Sequence, residues 1–190
     1  MATLPTELSF ADIQADTTLW EGRITHMYLD TVAKVTVGVG KMLPDANAAL
    51  ALGFVRRDTG AKATPDEIRR DFAAVSAQPK SQLAGSYKKF TQLDLPEAAI
   101  DALLKIVVDG FLADLAKRYA GWATMPVPAK RALLDMTFNL GSGGLAEKFP
   151  HMKLAVDARN WDVAAKECFR NGISQVRNDW TRDLFLKCKG

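Results

Sequence analysis

The chain contains little of what metal centres and disulfide frameworks are built from. Its 190 residues include only two histidines and two cysteines. Cys168 and Cys188 lie far apart in the sequence without a CxxC pair, and His26 and His151 are isolated. Metal sites need three or four such ligands at close spacing. We therefore expect no metal and no other cofactor. We interpret both cysteines as small residues packed between helices, with an inter-helix disulfide as the alternative.

Long apolar runs and long runs of one charge are also missing. No stretch approaches the ~18 apolar residues of a membrane helix, and the net charge is only +3, with dispersed basic residues. We expect neither nucleic-acid binding nor stable membrane insertion. Residues 1–20 lack a basic segment followed by an apolar one and so predict no secretory signal. We expect synthesis in the cytoplasm, and action either there or after transport by another machine.

The chain is rich in apolar residues at helical spacing. Its apolar fraction of 48% is sufficient for a globular core. Residues 97–119 carry the clearest pattern, and Pro96 before them is typical of a helix start. We predict a long central helix here. Ile106 is apolar on another face of this helix, which favours burial on more than one side.

Start and stop signals predict further helices around the central one. They cover Leu8 to Trp20, a segment opened by the capping box Thr64 to Glu67, Pro128 to a stop at Gly141, Trp161 to about Arg170 after Asn160, and about Arg177 toward Lys187. We read residues 44–63 and 78–95 as loops or short helices.

A small hairpin interrupts this helical pattern near the N-terminus. Residues 35–39 alternate valine with threonine and glycine, a period of two that indicates a strand. Residues 25–29 are compatible with a partner strand, and residues 30–34 would connect the two. The fold class is therefore α+β, mainly α, in a single domain. Its small lobe would cover about 21–63 and its helical lobe about 97–190, with the 1–20 helix packed on the helical lobe.

Two acids and a threonine around the hairpin suggest glycosidic chemistry. Cleavage needs one carboxylic acid to protonate the leaving oxygen and a second carboxylate to activate water or stabilise the cationic sugar. Glu21 follows Trp20 at a predicted helix end, and Asp30 lies in the polar hairpin connection. Thr36, on the returning strand, could hold a water beside Asp30. Singly, these are ordinary surface, turn and strand residues.

The spacing of these residues with Gly38 and Gly40 is harder to attribute to chance. At residue frequencies of roughly 5 to 7%, an accidental match is on the order of one in ten thousand. Trp20 to Arg23, Tyr28 to Thr31 and Val35 to Gly40 resemble the phage-type lysozymes, glycoside hydrolase family 24. Members of that family read E-G, then Y-x-D, then T-x-G-x-G-H. The segments Arg131 to Gly141 and Asn160 to Ala165 also look like that family.

The resemblance implies a lysozyme-like fold and a monomeric muramidase that hydrolyses peptidoglycan. In it, Glu21 is the general acid, and Asp30 with Thr36 positions the attacking water. Arg177 falls where the family has an arginine that pairs with the catalytic glutamate. Asn139 would line the cleft and bind sugar amides, with a helix-end polar residue as the alternative. Related domains occur in phage endolysins, bacteriocins and injected toxins, so a holin, a secretion apparatus or an inhibitor protein is a candidate partner.

The chain departs from the family pattern at two places. Lys41 stands where the motif often has histidine, and Ala33 with Lys34 replaces a glycine and an aromatic residue in the hairpin. Neither departure touches the three chemical positions. Two other functions stay open: a lytic transglycosylase, which needs no water-activating carboxylate, and a non-catalytic peptidoglycan-binding or phage structural module.

Overall fold

A computed structural model describes residues 4–189, apart from the side chains of Ser142 and Ala146. The fold is α+β and mainly helical, with 60% helix and 9% strand. The α-helices are α1 (Phe10–Glu21), α2 (Ala46–Leu50), α3 (Pro65–Ser76), α4 (Glu97–Arg118), α5 (Val127–Lys148), α6 (Pro150–Asp157), α7 (Trp161–Glu167) and α8 (Gln175–Leu186). The strands are β1 (Ile24–Leu29), β2 (Val35–Gly38), β3 (Lys41–Met42), β4 (Val55–Arg56) and β5 (Leu93–Asp94). Short 3₁₀ turns cover Ala84–Phe90, Trp122–Thr124 and Lys187–Lys189.

The chain divides into two compact units. The small unit is the continuous stretch 21–106, and the helical unit combines 4–20 with 107–189. The N-terminal helix therefore groups with the C-terminal helices, and the small unit extends well beyond residue 63. In the described stretch 4–189, no helix has the length and apolar character needed to cross a membrane.

The small unit is built around an antiparallel sheet of strand order β1-β2-β3. Tyr28 pairs with Thr36, and Leu29 pairs with Val35. The sheet packs one face onto a core shared with α3, the 3₁₀ turn at residues 84–90 and the start of α4. The members of this core include Met27, Leu29, Val35, Val37, Leu43, Phe54, Ile68, Tyr87, Leu95 and Ile100.

Local signals explain two features of the small unit. The capping box opens α3 as predicted: the Glu67 backbone N–H donates to Thr64 Oγ1, and the Glu67 carboxylate accepts from the Thr64 N–H. At the end of β2, Gly38 has a φ of +67° and lies against Ile100. A side chain at Gly38 would be strained in this left-handed conformation, which explains a glycine in the motif.

The predicted central helix is confirmed as α4, but Ile106 is not buried. It is 71% exposed, whereas Ile100, Leu104 and Val108 are at most 3% exposed. The expectation that α4 buries a second face through Ile106 was wrong. Around Ile106, α4 is buried along a single stripe of side chains that includes Leu104 and Val108. The predicted helix stop at Gly141 is confirmed: its φ of +71° and ψ of 159° are not helical, and a second helical segment follows this kink up to Lys148.

Candidate functional site

Glu21 is the last residue of α1 and is exposed. Gly22 follows with a φ of +75°, the left-handed conformation that commonly ends a helix. The sequence therefore turns the chain sharply after Glu21 and leads directly into β1. The acid predicted as the proton donor stands at the junction between a helix end and the first strand.

Asp30 opens the connection between β1 and β2, and backbone hydrogen bonds fix its carboxylate. Asp30 Oδ1 accepts from the N–H groups of Val32, at 2.9 Å, and Lys34, at 2.8 Å. The Asp30 N–H in turn donates to the Lys34 carbonyl oxygen at 2.9 Å. Within residues 4–189, the hydrogen bonds of this carboxylate all involve Oδ1. The turn therefore orients Asp30 and leaves Oδ2 as an acceptor.

The same connection holds Ala33 in the left-handed region, with a φ of +63°. An L-residue pays roughly 1–2 kcal/mol for this conformation, which glycine adopts freely. The Asp30 and Lys34 backbone groups pair across the hairpin, so its loop consists of the three residues 31–33. A three-residue loop places a left-handed residue at its last position. The departure from glycine noted in the sequence therefore falls at a position where the turn favours glycine.

Thr36 lies in the central strand β2 and is 2% exposed. Its hydroxyl donates to the carbonyl oxygen of Lys34 at 3.1 Å. Because a hydroxyl has one proton and two lone pairs, Thr36 Oγ1 retains acceptor capacity once that proton is used. Thr36 is thus suited to accept a hydrogen bond from a small molecule such as water.

Strand geometry brings Asp30, Tyr28 and Thr36 to one face of the sheet. Side chains alternate along a strand, so Tyr28 and Asp30 share a face and the intervening Leu29 points to the other. Thr36 is the cross-strand partner of Tyr28 and belongs to the same face. Leu29 and Val35 form the next pair and lie in the core of the small unit. The hairpin therefore has one core face and one face that carries the predicted site.

Both carboxylates act on the hydroxyl of Tyr28. Burial raises the pKa of Tyr28 above its ordinary value of 10.0, and the negative charges of Asp30 and Glu21 raise this pKa further. A charge influences a neighbouring group measurably only at short range in a partly solvated site. Both negative charges therefore oppose ionisation of the Tyr28 hydroxyl.

The candidate site combines two carboxyl groups of different character with the hydroxyl groups of Tyr28 and Thr36. Glu21 is exposed at a helix end. Asp30 is held by backbone N–H groups and can accept a proton from water through Oδ2. A water that donates one hydrogen to Asp30 and one to Thr36 would direct a lone pair outward. A general acid and a water-activating carboxylate are the two groups that hydrolysis of a glycosidic bond requires.

Arg177 and Asn139 belong to the helical unit. Arg177 lies in α8, is 8% exposed, and forms an ion pair with Asp135 in which Nε is 2.9 Å and Nη2 is 2.8 Å from Oδ1. Its guanidinium also lies over the ring of Trp20 at 5.7 Å. Asn139 is exposed on α5. The predicted pairing of Arg177 with Glu21 would join the two units and stays a prediction, as does the sugar contact of Asn139.

Of the cysteines and histidines, Cys168, Cys188 and His26 are buried. Cys168 and Cys188 are buried free thiols, as predicted, and burial raises the pKa of each to about 11. His26 is buried with Nε2 3.0 Å from the Ala84 carbonyl oxygen, and His151 is exposed. Among the side chains described between residues 4 and 189, no three His, Cys, Asp or Glu residues are grouped as a metal site.

Tyr28 is the residue of this site to which the sequence analysis gave no role. It stands in the Y-x-D part of the motif, and a strand period of two counted back from Asp30 would have placed it on the same face. Its opposition to Thr36 depends on the register of the hairpin, which the three-residue loop sets. No protein-family model matches the chain, and no curated protein sequence matches it.

Proposed function

We propose that the chain is a muramidase that hydrolyses the β-1,4 bond between N-acetylmuramic acid and N-acetylglucosamine in bacterial peptidoglycan. The observation that carries the proposal is the hairpin face that presents Asp30, with its carboxylate held by two backbone N–H groups, together with Tyr28 and Thr36. Glu21 ends α1 directly before the first strand of this hairpin. The sequence resemblance to phage-type lysozymes supports the same assignment.

In the proposed reaction Glu21 donates its proton to the glycosidic oxygen as the bond breaks. Asp30 and Thr36 each accept one hydrogen bond from the same water molecule. As that water attacks the anomeric carbon, it passes one proton to Asp30. The leaving sugar departs as an alcohol. At the end of the cycle Glu21 is ionised and Asp30 is protonated, so exchange with solvent resets both groups.

Two residues of the helical unit have supporting roles in this proposal. Arg177 would hold the Glu21 carboxylate by a charge-assisted hydrogen bond, in addition to its contact with Asp135. Asn139 would donate to and accept from the acetamido groups of the glycan. Peptidoglycan lies outside the inner membrane. A protein made in the cytoplasm therefore reaches it after release or delivery, through a holin or a secretion apparatus.

The first test measures cleavage of purified peptidoglycan and lysis of permeabilised Gram-negative cells. We expect Glu21→Gln, Asp30→Asn and Thr36→Val each to remain folded. We expect the Glu21→Gln and Asp30→Asn variants to lose at least the ~100-fold that acid–base catalysis commonly supplies. Thr36→Val preserves shape but removes the hydroxyl, and we expect a smaller loss. The matched control is Glu167→Gln, an exposed glutamate at the end of α7, which should retain full activity.

The products separate this function from the two alternatives. A hydrolase releases reducing ends, whereas a lytic transglycosylase releases anhydro sugars and should tolerate Asp30→Asn. A non-catalytic module would bind the wall and release neither. Direct attack by water inverts the anomeric centre, so NMR during early turnover should detect the inverted product first. A retained product would overturn the role assigned to Asp30.

A further inference from the structure

Four flat side chains from three helices stack against one another in the helical unit. The Arg131 guanidinium of α5 lies 5.9 Å from the ring of Trp180 on α8. Trp180 meets the ring of Trp20 on α1 edge to face, with centroids 5.5 Å apart. The guanidinium of Arg177 covers Trp20 at 5.7 Å. We call this series, in the order Arg131, Trp180, Trp20 and Arg177, the stack.

Carboxylates hold the two arginines at the ends of the stack. Asp16 on α1 accepts two hydrogen bonds from Arg131, at 2.7 Å and 2.6 Å. Asp135 on α5 accepts from Arg177 at 2.9 Å, and its side chain is 3% exposed. Such paired contacts fix the plane of a guanidinium and therefore the face that it presents to a ring.

The contacts of the stack fix the last turn of α1 against α5 and α8. Asp16 and Trp20 are four residues apart and so lie on one face of the helix. Asp16 joins that face to α5, and Trp20 joins it to α8 through both Trp180 and Arg177. Cation–π contacts contribute about 0.5–2 kcal/mol each, and an aromatic pair contributes about 0.5–1.5 kcal/mol. The next residue along α1 is Glu21, whose backbone is continuous with this turn.

The indole of Trp20 takes part through its ring rather than through its N–H group. Within the described part of the chain, Trp20 Nε1 is buried and forms no hydrogen bond. A buried donor without an acceptor costs free energy, so a phenylalanine would avoid a cost that tryptophan bears here. Tryptophan has the strongest cation–π face among the side chains, and this matches its position under Arg177.

We propose that the stack positions the catalytic acid, with Trp20, Trp180 and Arg131 as positioning residues for Glu21. The proposal rests on the proposed function, in which Glu21 is the proton donor. It extends the site to residues that do not touch the substrate. Loosening the stack should allow the end of α1 to move and should lower the rate of proton donation, while the binding of the glycan stays the same.

The first measurement compares the full chain with Trp180→Leu and Trp180→Phe on purified peptidoglycan. A displacement of 1 Å in a reacting group can cost ~100-fold in rate. For the partial loosening in Trp180→Leu, we expect kcat to fall ~10-fold and KM to stay within ~2-fold. Trp180→Phe restores a ring and should recover most of kcat. Arg182→Ala is the control, because Arg182 lies on the same helix in exposed ion pairs.

The second measurement does not need activity. Amide hydrogen exchange at residues 19–21 should be faster in Trp180→Leu than in the unmodified chain, and unchanged in Arg182→Ala. If Trp180→Leu does not fold, Arg131→Lys replaces it, because lysine keeps the charge near Asp16 but loses the flat face that stacks on Trp180. It should lower kcat ~3-fold and speed the same exchange.

The outcomes separate the two proposals. Unchanged exchange at the end of α1 would overturn the grip of the stack, and faster exchange with an unchanged kcat would overturn its positioning role. A higher KM with kcat preserved in Trp180→Leu would also contradict the positioning role. Absence of wall cleavage by the unmodified chain would overturn the proposed function, and the exchange result would then decide the role of the stack by itself.

Discussion

The pKa of the Tyr28 hydroxyl can be used to test whether the carboxylates of Asp30 and Glu21 lie close to it. Neutralising Asp30 removes a negative charge that disfavours the phenolate, so Asp30→Asn should lower the pKa of Tyr28 toward 10.0. Glu21→Gln should act in the same direction and less strongly. The measurement is an alkaline absorbance titration, with Tyr28→Phe to subtract the other tyrosines.

Asp45→Asn is the matched control for this titration. Asp45 also accepts a backbone N–H, that of Ala48 at 2.9 Å, but it caps α2 instead of the hairpin. It should leave the Tyr28 titration unchanged. The shared position of the carboxylates would be refuted by a Tyr28 pKa that is the same in the unmodified chain, Asp30→Asn and Glu21→Gln.

Single residues were also where sequence reasoning was most and least informative. Asp30 and Thr36 could be placed because a hairpin loop and a strand of period two leave few alternatives. The burial of Thr36 could not be predicted, because the groups that shield it from solvent are brought there by the tertiary fold and are not its neighbours in the sequence. The predicted partner of Arg177 was a carboxylate. The contact of Arg177 with Asp135 on α5 was not predicted, because residues 135 and 177 are far apart in the sequence and their spacing does not indicate that they meet in the core.

Among the elements, β1 carries the group that should make the small unit sensitive to acid. His26 is buried against the 3₁₀ turn at residues 84–90. Burial lowers its pKa below 6.5; Arg57 and Lys88 lower it further, while the Ala84 carbonyl and Asp94 oppose them. The unfolded chain therefore binds a proton at a higher pH than the folded chain. Stability should be complete above pH 6.5 and should fall as the pH drops from 6.5 to the lowered pKa.

Thermal unfolding at about pH 7.5 and about pH 5.5 tests this dependence. His26→Gln keeps an N–H that can donate to Ala84 but does not titrate, so it should lose less melting temperature on acidification than the unmodified chain. His151→Gln, at an exposed histidine, should behave like the unmodified chain. An equal loss in His26→Gln and the unmodified chain would exclude His26 as the cause.

The elements predicted from sequence were those whose stability is local. The capping box before α3, the apolar stripe of α4 and the asparagine cap of α7 are encoded within a few residues of the helices that they start. The short strands β3, β4 and β5 were not predicted, because two residues carry no periodicity. Val55 and Arg56 become a strand only through Asp94 and Leu93, almost forty residues away. Pairing at that distance is a tertiary property.

At the scale of the whole molecule, one buried carboxylate organises the helical unit. Asp135 binds Arg177 and also accepts from Arg170 Nη2 at 2.6 Å, and Arg170 is 2% exposed. Asp135→Asn would remove the negative charge that faces the buried guanidinium of Arg170. We expect it to cost about 3–5 kcal/mol of unfolding free energy in urea titrations. Asp183→Asn, in an exposed pair with Arg182, should cost at most about 1 kcal/mol, and equal costs would contradict this account.

The grouping of α1 with the C-terminal helices also imposes an order on biosynthesis. Asp16 and Arg131 are 115 residues apart, so at ~5–20 residues per second Asp16 is synthesised roughly 6 to 23 s before its partner on α5. The interval between the synthesis of Trp20 and that of its partner Trp180 is longer still. The contacts of the small unit all lie within one continuous stretch and can form during that interval. The helical unit, in contrast, can close around α1 only when translation is nearly complete.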